Sequence, residues 1–571
     1  MRPSALATIA LGIAALAAPA AHAADPWYTQ AGATWSQAYF TEPDGTTLHA
    51  DVLRPKGLPG NARTPVILSI GPYFGHAAQE GVVDGAYDPV GANGAQPQPR
   101  FQDFIQGAHL MQRGYTWVQV DLRGFGGSTG CLDWAGPGEQ TDVKSAVEWA
   151  ASQPWSTGAV GMSGQSYDGV TGLIGVSVQP KGLKSIVSQE PVYDLYRYLY
   201  TNGVRYENSL ATPALYDGIA DTPGQATDSP TYIGNSVNDT ASPGCSATNY
   251  ANQAGNNDHS SAYWKARDLI AESKGHKVPI FMTQGFLENN TKPDGAWDYF
   301  NELKGPKQAW FGMWDHIRGN DVAEGDNAAP SPWFDEVMRF YDRYLKGIKP
   351  TVKDPAIAVE TSDGSWRAET RWPPVDAIGY TSKLRPGSYT DQPTAGSAEG
   401  DNPDDSLGTG AWTISPPLKY DAHLAGVPSV TLDVTSPVPD ANLSTDLYDI
   451  DAKGNALLLS RNAYLLSQGE QRISPEMYGN DWLIPAGHRI GVLVTSADDE
   501  WWTPTQTLQS VTLNGGTVTL PFLRYARTVK LSGYKRPQRL DDWLKAAPFA
   551  LDAATITGST SSSFVLPPRQ R

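Results

Sequence analysis

The chain has 571 residues, enough for roughly two to four domains of ordinary size. Its apolar fraction of 40%, with 18 Trp, 26 Tyr and 14 Phe, excludes a disordered protein and favours globular domains rich in aromatic side chains. The formal net charge of −17 repels nucleic acid and anionic membranes, so we expect neither as a partner.

The first residues have the pattern of a secretory signal peptide. Arg2 precedes a weakly apolar run over residues 5–18, and Ala21-His22-Ala23 fits a small-residue cleavage site. That run is too short to span a bilayer. We therefore expect residues 1–23 to be removed and the mature protein to be soluble and extracellular; an ordinary buried helix is the alternative interpretation.

Residues 24–350 alternate between strand and helix patterns. Residues 35–55 predict a hairpin, because Pro43-Asp44-Gly45 is a turn tripeptide between two strand-like runs. The clearest helical pattern covers residues 141–152. Apolar strands that alternate with helices predict a parallel sheet covered on both faces. The predicted strands lie at 65–70, 116–120, 159–162, 183–187, 279–282 and 308–313.

Two further regions follow from composition. Residues 193–273 interrupt the alternation with a stretch rich in Gly, Asn, Asp, Ser and Thr, which predicts a cap over an active site, with a disordered linker as the alternative. Short β-rich runs between Gly, Pro and Asp turns predict an antiparallel sandwich or jelly roll over residues 351–535. The tail, residues 536–571, is partly of low complexity and receives no role.

The chain has only two cysteines, Cys131 and Cys245. An even pair in an exported protein can oxidise. We therefore predict a disulfide that staples a loop to the insertion, with two buried free thiols as the alternative.

The stretch GMSGQSYDG, residues 161–169, fits a nucleophile elbow. An elbow needs a strand, a sharp turn of small residues, the nucleophile at its apex and a helix that starts at once. Residues 159–162 supply the strand and residues 167–178 the helix. We therefore predict Ser166 as the nucleophile and the backbone N–H of Tyr167, at the helix N-terminus, as an oxyanion donor.

Two other interpretations of the glycine-rich segments stay open. The stretch around Ser166 can be a purely structural turn. A literal G-x-S-x-G pattern also occurs at residues 126–130, with Ser128 at its centre. Ser128 is disfavoured because the segment that follows it, residues 131–138, cannot start a helix immediately.

The acid and the base of a triad should follow the nucleophile on loops after later strands. The strand at 279–282 runs into a loop with Glu288, and the strand at 308–313 runs into Trp314-Asp315-His316. We predict that His316 takes the Ser166 proton and that Glu288 fixes the histidine tautomer. The competing acids are Asp294, Asp298 and Asp315.

These segments resemble the Xaa-Pro dipeptidyl-peptidase and cocaine-esterase group of α/β-hydrolases. GQSYDG at 164–169 is similar to the group's G-x-S-Y-x-G elbow, and DLRGFGGS at 121–128 is similar to its D-x-R-G-x-G-x-S segment. WDH at 314–316 resembles its histidine segment. Pro72-Tyr73 resembles its oxyanion tyrosine, so the resemblance implies Tyr73 as a second oxyanion donor.

The resemblance covers about residues 35–530 and implies an α/β-hydrolase domain with an inserted cap, followed by an all-β jelly-roll domain. GFLENNTKP at 285–293 is similar to the G-x-x-D-x-N-x-K stretch of the dipeptidyl-peptidases, with Glu288 where the family has Asp. Amino-acid ester hydrolases of the group carry further acidic residues directly after this position. The chain has none there, which favours the peptidase interpretation.

The sequence thus predicts a secreted serine hydrolase that removes Xaa-Pro dipeptides from peptide N-termini through an acyl-enzyme on Ser166. A substrate amine needs a carboxylate; Glu190 and Asp194 are candidates, with solvent-facing or salt-bridged carboxylates as the alternative. An esterase or amidase of small acyl substrates and an inert binding protein that uses the sandwich are the competing functions. No metal-ligand spacing, phosphate loop or dinucleotide fingerprint appears, so we expect no metal and no cofactor.

Overall fold

The computed structural model describes residues 26–76, 95–237, 244–320, 332–392, 409–496, 502–503, 505–534, 538–546 and 549–571, and the backbone of the strand pair Val82–Val83 and Ala86–Tyr87. The predicted signal peptide, residues 1–23, lies outside these ranges. Within the described part of the chain, no helix has both the length and the apolar character needed to cross a membrane.

A ten-stranded sheet forms the centre of the N-terminal part. Its strands, numbered along the chain, are β1 Ala33–Thr41, β2 Thr47–Pro55, β3 Thr64–Gly71, β4 Thr116–Asp121, β5 Ser156–Gln165, β6 Leu183–Gln189, β7 Ile280–Gly285, β8 Lys307–Gly312, β9 Ile357–Glu360 and β10 Trp366–Glu369. Their order is β1-β2-β4-β3-β5-β6-β7-β8-β9-β10. In this order, all neighbouring strands from β4 through β9 are parallel. The pairs β1–β2, β2–β4 and β9–β10 are antiparallel.

Both faces of this sheet are covered, which confirms the predicted α/β class. Val66 of β3 lies in one hydrophobic core with helices Pro137–Ser152 and Tyr167–Val178. The next residue, Ile67, lies in a second core with helix Pro332–Lys346. Successive side chains of a strand point to opposite faces, so one apolar strand supplies both cores. Shorter helices flank the sheet at Trp27–Gln30, Pro99–Phe101 (3₁₀), Gln102–Gly107 and Ala296–Glu302.

The insertion between β6 and β7 consists mainly of short helices. Side chains of Asp194, Ser229, Ser261 and Asp268 each accept a backbone N–H at a helix start, so the polar composition of this region serves to cap short helices. The helices are Leu195–Leu199, Asn208–Ala220, Pro230–Asn235, Gly244–Gly255, Ala262–Lys265 and Leu269–Ser273, with a small hairpin formed by Tyr200–Thr201 and Val204–Arg205.

A disulfide ties this insertion to the sheet domain. Cys131, in the loop after β4, is bonded to Cys245 of helix Gly244–Gly255, and their Cα atoms lie 5.8 Å apart. The two cysteines are 114 residues apart in the sequence, so the bond closes a long loop. Closing so long a loop restricts the unfolded chain strongly.

The C-terminal part forms two antiparallel sheets, which confirms the predicted all-β domain. Alternating burial along Ser429–Ser436 shows one face turned to the core and the other to solvent. One sheet contains Ala377–Leu384, Gly387–Thr390, Ala422–Gly426, Ser429–Ser436, Gly469–Ile473, Asn480–Ile484 and Ser510–Leu523. The other contains Ala411–Ile414, Ala441–Ile450, Asn455–Leu466, Arg489–Thr495 and Phe549–Ala550.

The predicted domain limits at residues 350 and 535 do not match the sheets. β9 and β10 come after residue 350 and still belong to the central sheet, where β9 pairs parallel with β8. Strand Phe549–Ala550 comes from the predicted tail and pairs with Asn455 and Ala456 of the β domain. Helices Gln538–Ala546 and Ala553–Ser559 also lie in that tail.

A buried charge cluster joins the two parts of the protein. Arg367 of β10 donates from Nη2 to Oδ2 of Asp481 at 2.6 Å, and His423 Nε2 lies 2.7 Å from Asp481 Oδ1. Burial would raise the pKa of Asp481, but the charges of Arg367 and His423 hold it well below its ordinary range. The cluster therefore fixes the edge of the central sheet against the β domain.

Candidate active site

Ser166 occupies the sharp turn that the sequence predicts. It follows β5 directly and precedes helix Tyr167–Val178 without an intervening residue. Its backbone has φ 63° and ψ −127°, a conformation that is costly for a non-glycine residue. Gly164 must be a glycine because a Cβ there would lie 2.1 Å from the carbonyl oxygen of Asp168. The close approach of strand and helix thus holds Ser166 at the apex.

Arg100 braces this turn, and the sequence gives no sign of it. Its Nε donates to Asp168 Oδ2 at 2.7 Å, and its Nη2 donates to the carbonyl oxygen of Gln165 at 3.2 Å. The guanidinium also lies over the Tyr73 ring, 4.1 Å from its centroid. Because Arg100 and Asp168 are both buried, the pair holds the two sides of the Ser166 turn in place.

Glu288 and His316 form the predicted acid–base pair geometrically. Glu288 follows β7, His316 follows β8, and Glu288 Oε2 lies 2.9 Å from His316 Nδ1. Glu288 Oε1 accepts backbone N–H groups of Asn290 at 2.7 Å and Thr291 at 3.0 Å. With Nδ1 directed at the carboxylate, the other ring nitrogen of His316 is the one available to a reacting group.

The surroundings of Glu288 keep it ionised. Burial alone would raise the pKa of this carboxyl. His316 and the hydrogen bonds from Thr291 and Asn290 outweigh burial and lower the pKa below its ordinary value. The carboxylate can therefore stabilise a positive charge that develops on the imidazole.

Gln189 and Thr291 connect the serine turn to the loops of the acid and the base. The Gln189 carbonyl oxygen accepts the Ser166 N–H at 2.9 Å, and its side-chain oxygen accepts the Gly319 N–H, in the loop of His316, at 2.7 Å. Thr291, which donates to Glu288, lines the same pocket as Ser166. Ser166, Glu288 and His316 thus share the carboxyl edge of the sheet, at β5, β7 and β8.

The pocket beside Ser166 is small and mostly apolar. Its empty volume, counted together with space that opens to solvent, is about 280 Å³. Its walls are aromatic and aliphatic side chains, with Thr291 as a polar member. The apolar lining residues are Trp134, Val170, Val192, Leu195, Tyr198 and Tyr216.

Of the two predicted oxyanion donors, Tyr167 lines this pocket and Tyr73 contacts a residue that lines it. Tyr167 is the first residue of the helix after Ser166, so its backbone N–H belongs to the helix N-terminus. The hydroxyl of Tyr73 is hydrogen-bonded to the hydroxyl of Tyr216, which lines the pocket. Substrate oxygen would have to compete with Tyr216 for the Tyr73 hydroxyl.

The Tyr167 side chain reaches the buried carboxyl of Glu139, in helix Pro137–Ser152. Its hydroxyl donates to Glu139, 2.9 Å and 3.1 Å from the two oxygens. Backbone N–H groups of Asp133 and Ala135 donate to the same carboxyl. Burial, with the charge of Asp133, raises the pKa of Glu139 to about 7.

The structure places Glu190 and Asp194, the candidates for binding a substrate amine, in contact with protein groups. Glu190 is fully buried; Oε1 accepts from Trp314 Nε1 at 2.9 Å, and Oε2 accepts from the Gly285 N–H at 2.9 Å. Asp194 caps helix Leu195–Leu199 and lies 3.0 Å from His259 Nε2. These carboxylates use their acceptor capacity on protein groups and help to position the loops around the site.

Ser128, the competing nucleophile, is a structural residue. It is fully buried, and its hydroxyl donates to the carbonyl oxygen of Asp121 at 2.7 Å and accepts the His49 N–H at 2.9 Å. Among the competing acids, Asp294 accepts from Arg197 Nη1 at 2.9 Å. Within the described part of the chain, neither the Ser128 hydroxyl nor the Asp294 carboxylate is hydrogen-bonded to His316.

Comparison with protein families finds two matches in succession. The model of the X-Pro dipeptidyl-peptidase (S15 family) matches residues 44–318, and that of the X-Pro dipeptidyl-peptidase C-terminal non-catalytic domain matches residues 350–541. Together they cover most of the chain.

Individual relatives are distant. A protein of Streptomyces avermitilis, provisionally named an Xaa-Pro dipeptidyl-peptidase, is 26% identical over 71% of this chain and 62% of its own length, so the chain spans less than two thirds of that relative. A provisionally named serine esterase of Mycobacterium tuberculosis is 22% identical over 84% of this chain and 93% of its own. A solved CocE/NonD family hydrolase of Staphylococcus aureus has a TM-score of 0.64 at 16% identity and covers 85% of this chain and 93% of its own, which shows a shared fold.

Proposed function

The chain belongs to the X-Pro dipeptidyl-peptidase (S15) family of serine hydrolases, and from that premise we propose that it is a secreted peptidase that removes Xaa-Pro dipeptides from peptide N-termini. The observation that carries the proposal is the Glu288–His316 pair, set on the same edge of the sheet as the strained Ser166 turn. Three groups from separate loops in this order are what nucleophilic acyl transfer requires.

In the proposed reaction, Ser166 Oγ attacks the carbonyl carbon of the scissile bond while His316 accepts the hydroxyl proton. Glu288 holds the imidazole tautomer and stabilises its positive charge. The Tyr167 N–H and the Tyr73 hydroxyl donate to the oxyanion. His316 then protonates the leaving amine, and a water molecule deprotonated by His316 hydrolyses the acyl-enzyme on Ser166.

The pocket favours an uncharged residue before the cleaved bond, as the proposal requires. Its apolar walls exclude a charged side chain, because burying an unpaired charge there is costly.

A second candidate is an esterase or amidase of small acyl substrates that uses the same three residues. The engagement of Glu190 and Asp194 favours it, because neither carboxylate is left to bind a substrate amine. A small acyl group without an amine needs no such partner. An inert binding function of the β domain is disfavoured by the assembled Glu288–His316 pair.

The decisive experiment compares an Ala-Pro chromogenic amide with a short-chain aryl ester on the purified protein. Peptidase function predicts efficient cleavage of the amide and loss of cleavage when its N-terminal amine is acetylated. Preference for the ester, with no effect of acetylation, would establish the second candidate.

Covalent labelling by a fluorophosphonate tests the nucleophile. Ser166→Ala should abolish both labelling and turnover, whereas Ser128→Ala, the matched control, should keep them. An unlabelled wild-type protein would instead support the inert binding function. N-terminal sequencing of exported protein tests secretion and should begin at Ala24.

A further inference from the structure

A buried histidine–carboxylate cluster includes His76, which lies in the same loop as Tyr73. The proposed reaction does not use this cluster. His49 and Asp51 are alternate residues of β2, so their side chains share one face of the strand. His76 comes from the loop after β3. Donor atoms of these three residues lie within 4.8 Å of one another, and all three side chains are buried.

Asp51 lies between the two imidazoles. Its Oδ2 is 3.1 Å from His76 Nε2, and its Oδ1 is 3.8 Å from His49 Nε2. Trp35 Nε1 donates to Oδ1 at 2.6 Å and fixes the orientation of the carboxylate. The Nε2 atoms of both histidines therefore converge on one carboxylate group.

Each histidine is oriented by a second carboxylate at its other nitrogen. His49 Nδ1 lies 2.8 Å from Asp121 Oδ2, and His76 Nδ1 lies 2.5 Å from Asp228 Oδ1. A carboxylate behind the remote ring nitrogen is the usual support of a metal-binding histidine, because it fixes the tautomer and makes the ligating nitrogen more basic. Two such pairs around a shared carboxylate are hard to account for by packing alone.

The cluster also has fewer positive charges than are needed to balance its carboxylates. Even if both imidazoles were protonated, the three carboxylates of Asp51, Asp121 and Asp228 would leave one negative charge unbalanced. Among the described residues, none of these carboxylates has an Arg or Lys within salt-bridge distance. In the same part of the chain, His49 Nε2 and Asp121 Oδ1 are buried without a hydrogen-bond partner. Unpaired polar atoms at such depth are costly.

We propose that His49, Asp51 and His76 bind one divalent transition-metal ion, Zn²⁺, through the Nε2 atoms of the two imidazoles and the carboxylate of Asp51. Two imidazoles and one carboxylate suit zinc, whereas calcium and magnesium prefer oxygen ligands alone. The sequence predicts no metal site, because the three ligands come from segments with no recognisable common spacing.

The ion would tie three parts of the protein together. His49 and Asp51 belong to the sheet, and His76 is three residues from Tyr73 in the same loop. Asp228, behind His76, belongs to the cap, as does Tyr232, whose ring stacks on His76 at 4.2 Å and whose hydroxyl accepts the His76 N–H. Zn²⁺ would therefore anchor both the Tyr73 loop and the cap to the sheet.

The test titrates Zn²⁺, and Co²⁺ as a visible-spectrum probe, into full-length protein freed of metal with a chelator. We expect one ion per chain and cobalt d–d bands of a low-coordinate site. His49→Gln and His76→Gln should weaken binding at least 100-fold, and Asp121→Asn about 10- to 100-fold. His423→Gln is the matched control, since His423 is a buried imidazole paired with Asp481 outside the cluster.

Absence of stoichiometric binding by the metal-free wild-type protein would overturn the proposal, whatever the variants do. Binding that survives the His49→Gln, His76→Gln double change, or that His423→Gln weakens equally, would also overturn it. If removal of metal unfolds the wild-type protein, Zn²⁺ but not Mg²⁺ must restore its near-ultraviolet circular dichroism. The titration requires no substrate, so its result is independent of the proposed peptidase function.

Discussion

Replacing Glu288 with glutamine tests the acid of the proposed triad with almost no change in shape. Glu288 Oε2 faces His316 Nδ1, and Oε1 accepts two backbone N–H groups, from Asn290 and Thr291. A glutamine has one oxygen and one NH₂ group, so it cannot accept on both sides. Keeping both backbone hydrogen bonds turns its NH₂ group toward His316 and forces the tautomer that cannot accept the Ser166 proton.

The expected loss follows from that wrong tautomer. In the serine–histidine–acid template, an isosteric amide in place of the acid lowers kcat by about 10⁴. Each tenfold loss corresponds to about 1.4 kcal/mol, so Glu288→Gln should raise the barrier by about 5 kcal/mol. The KM should change little, because Glu288 lies behind His316 and does not contact substrate in the proposed reaction.

The assay is steady-state hydrolysis of the preferred substrate, together with the rate of fluorophosphonate labelling. Glu336→Gln is the matched control: Glu336 is another buried glutamate, which accepts from Trp310 Nε1 at 3.0 Å and lies outside the site. Its kcat should stay within about twofold of the wild type. A Glu288→Gln enzyme that keeps a tenth or more of the wild-type kcat would refute the assignment of Glu288.

Three further changes test the framework. Asp481→Asn should lower the free energy of unfolding in urea by about 1.5–3 kcal/mol, because it weakens the charge-assisted hydrogen bonds between Asp481 and the buried Arg367 guanidinium, which keeps Glu369 as its ionic partner; an unchanged free energy of unfolding would contradict this. In the folded protein, burial raises the pKa of Glu139 from its ordinary value of 4.5 to about 7. The stability contributed by the protonated carboxyl is therefore fully present below pH 4.5 and is lost as the pH rises through 7. The wild type should therefore lose up to about 3 kcal/mol more than Glu139→Gln between pH 5 and 8 in urea titrations, and equal losses would refute the shift. Separating Cys131 from Cys245 by a double change to serine should lower stability by about 4–5 kcal/mol, measured by calorimetry, and an unchanged Tm would show that the cross-link does not restrict the unfolded chain.

Local patterns in the sequence predict the elements of the site well. Ser166 could be placed because strand, turn and helix are contiguous in nine residues, and the conformation depends on small neighbours such as Gly164. Glu288 and His316 could be placed because the carboxyl ends of parallel strands meet at one edge of a sheet.

Contacts between distant segments escape such reasoning. Arg100 reaches the Ser166 turn from a short 3₁₀ helix that carries no motif, and Gln189 links two loops through one carbonyl and one side chain. The candidate role of Glu190 and Asp194 rests on their position after a strand, and that position does not show which hydrogen-bond donors will contact each carboxylate. The pairing of His76 with Asp51 depends on strand order, which the sequence pattern does not specify.

The strands β9 and β10 bear on how this protein can be divided for expression. They belong to the sheet of the hydrolase domain, although they lie within residues 351–535, which the sequence assigns to the second domain. A fragment ending at residue 350 would leave β8 as an exposed parallel edge, with a row of unpaired backbone groups. Such an edge can pair with strands of other chains, so we expect that fragment to aggregate. A soluble catalytic fragment would have to extend at least through Glu369. It would also need another ionic partner for Arg367 in place of Asp481.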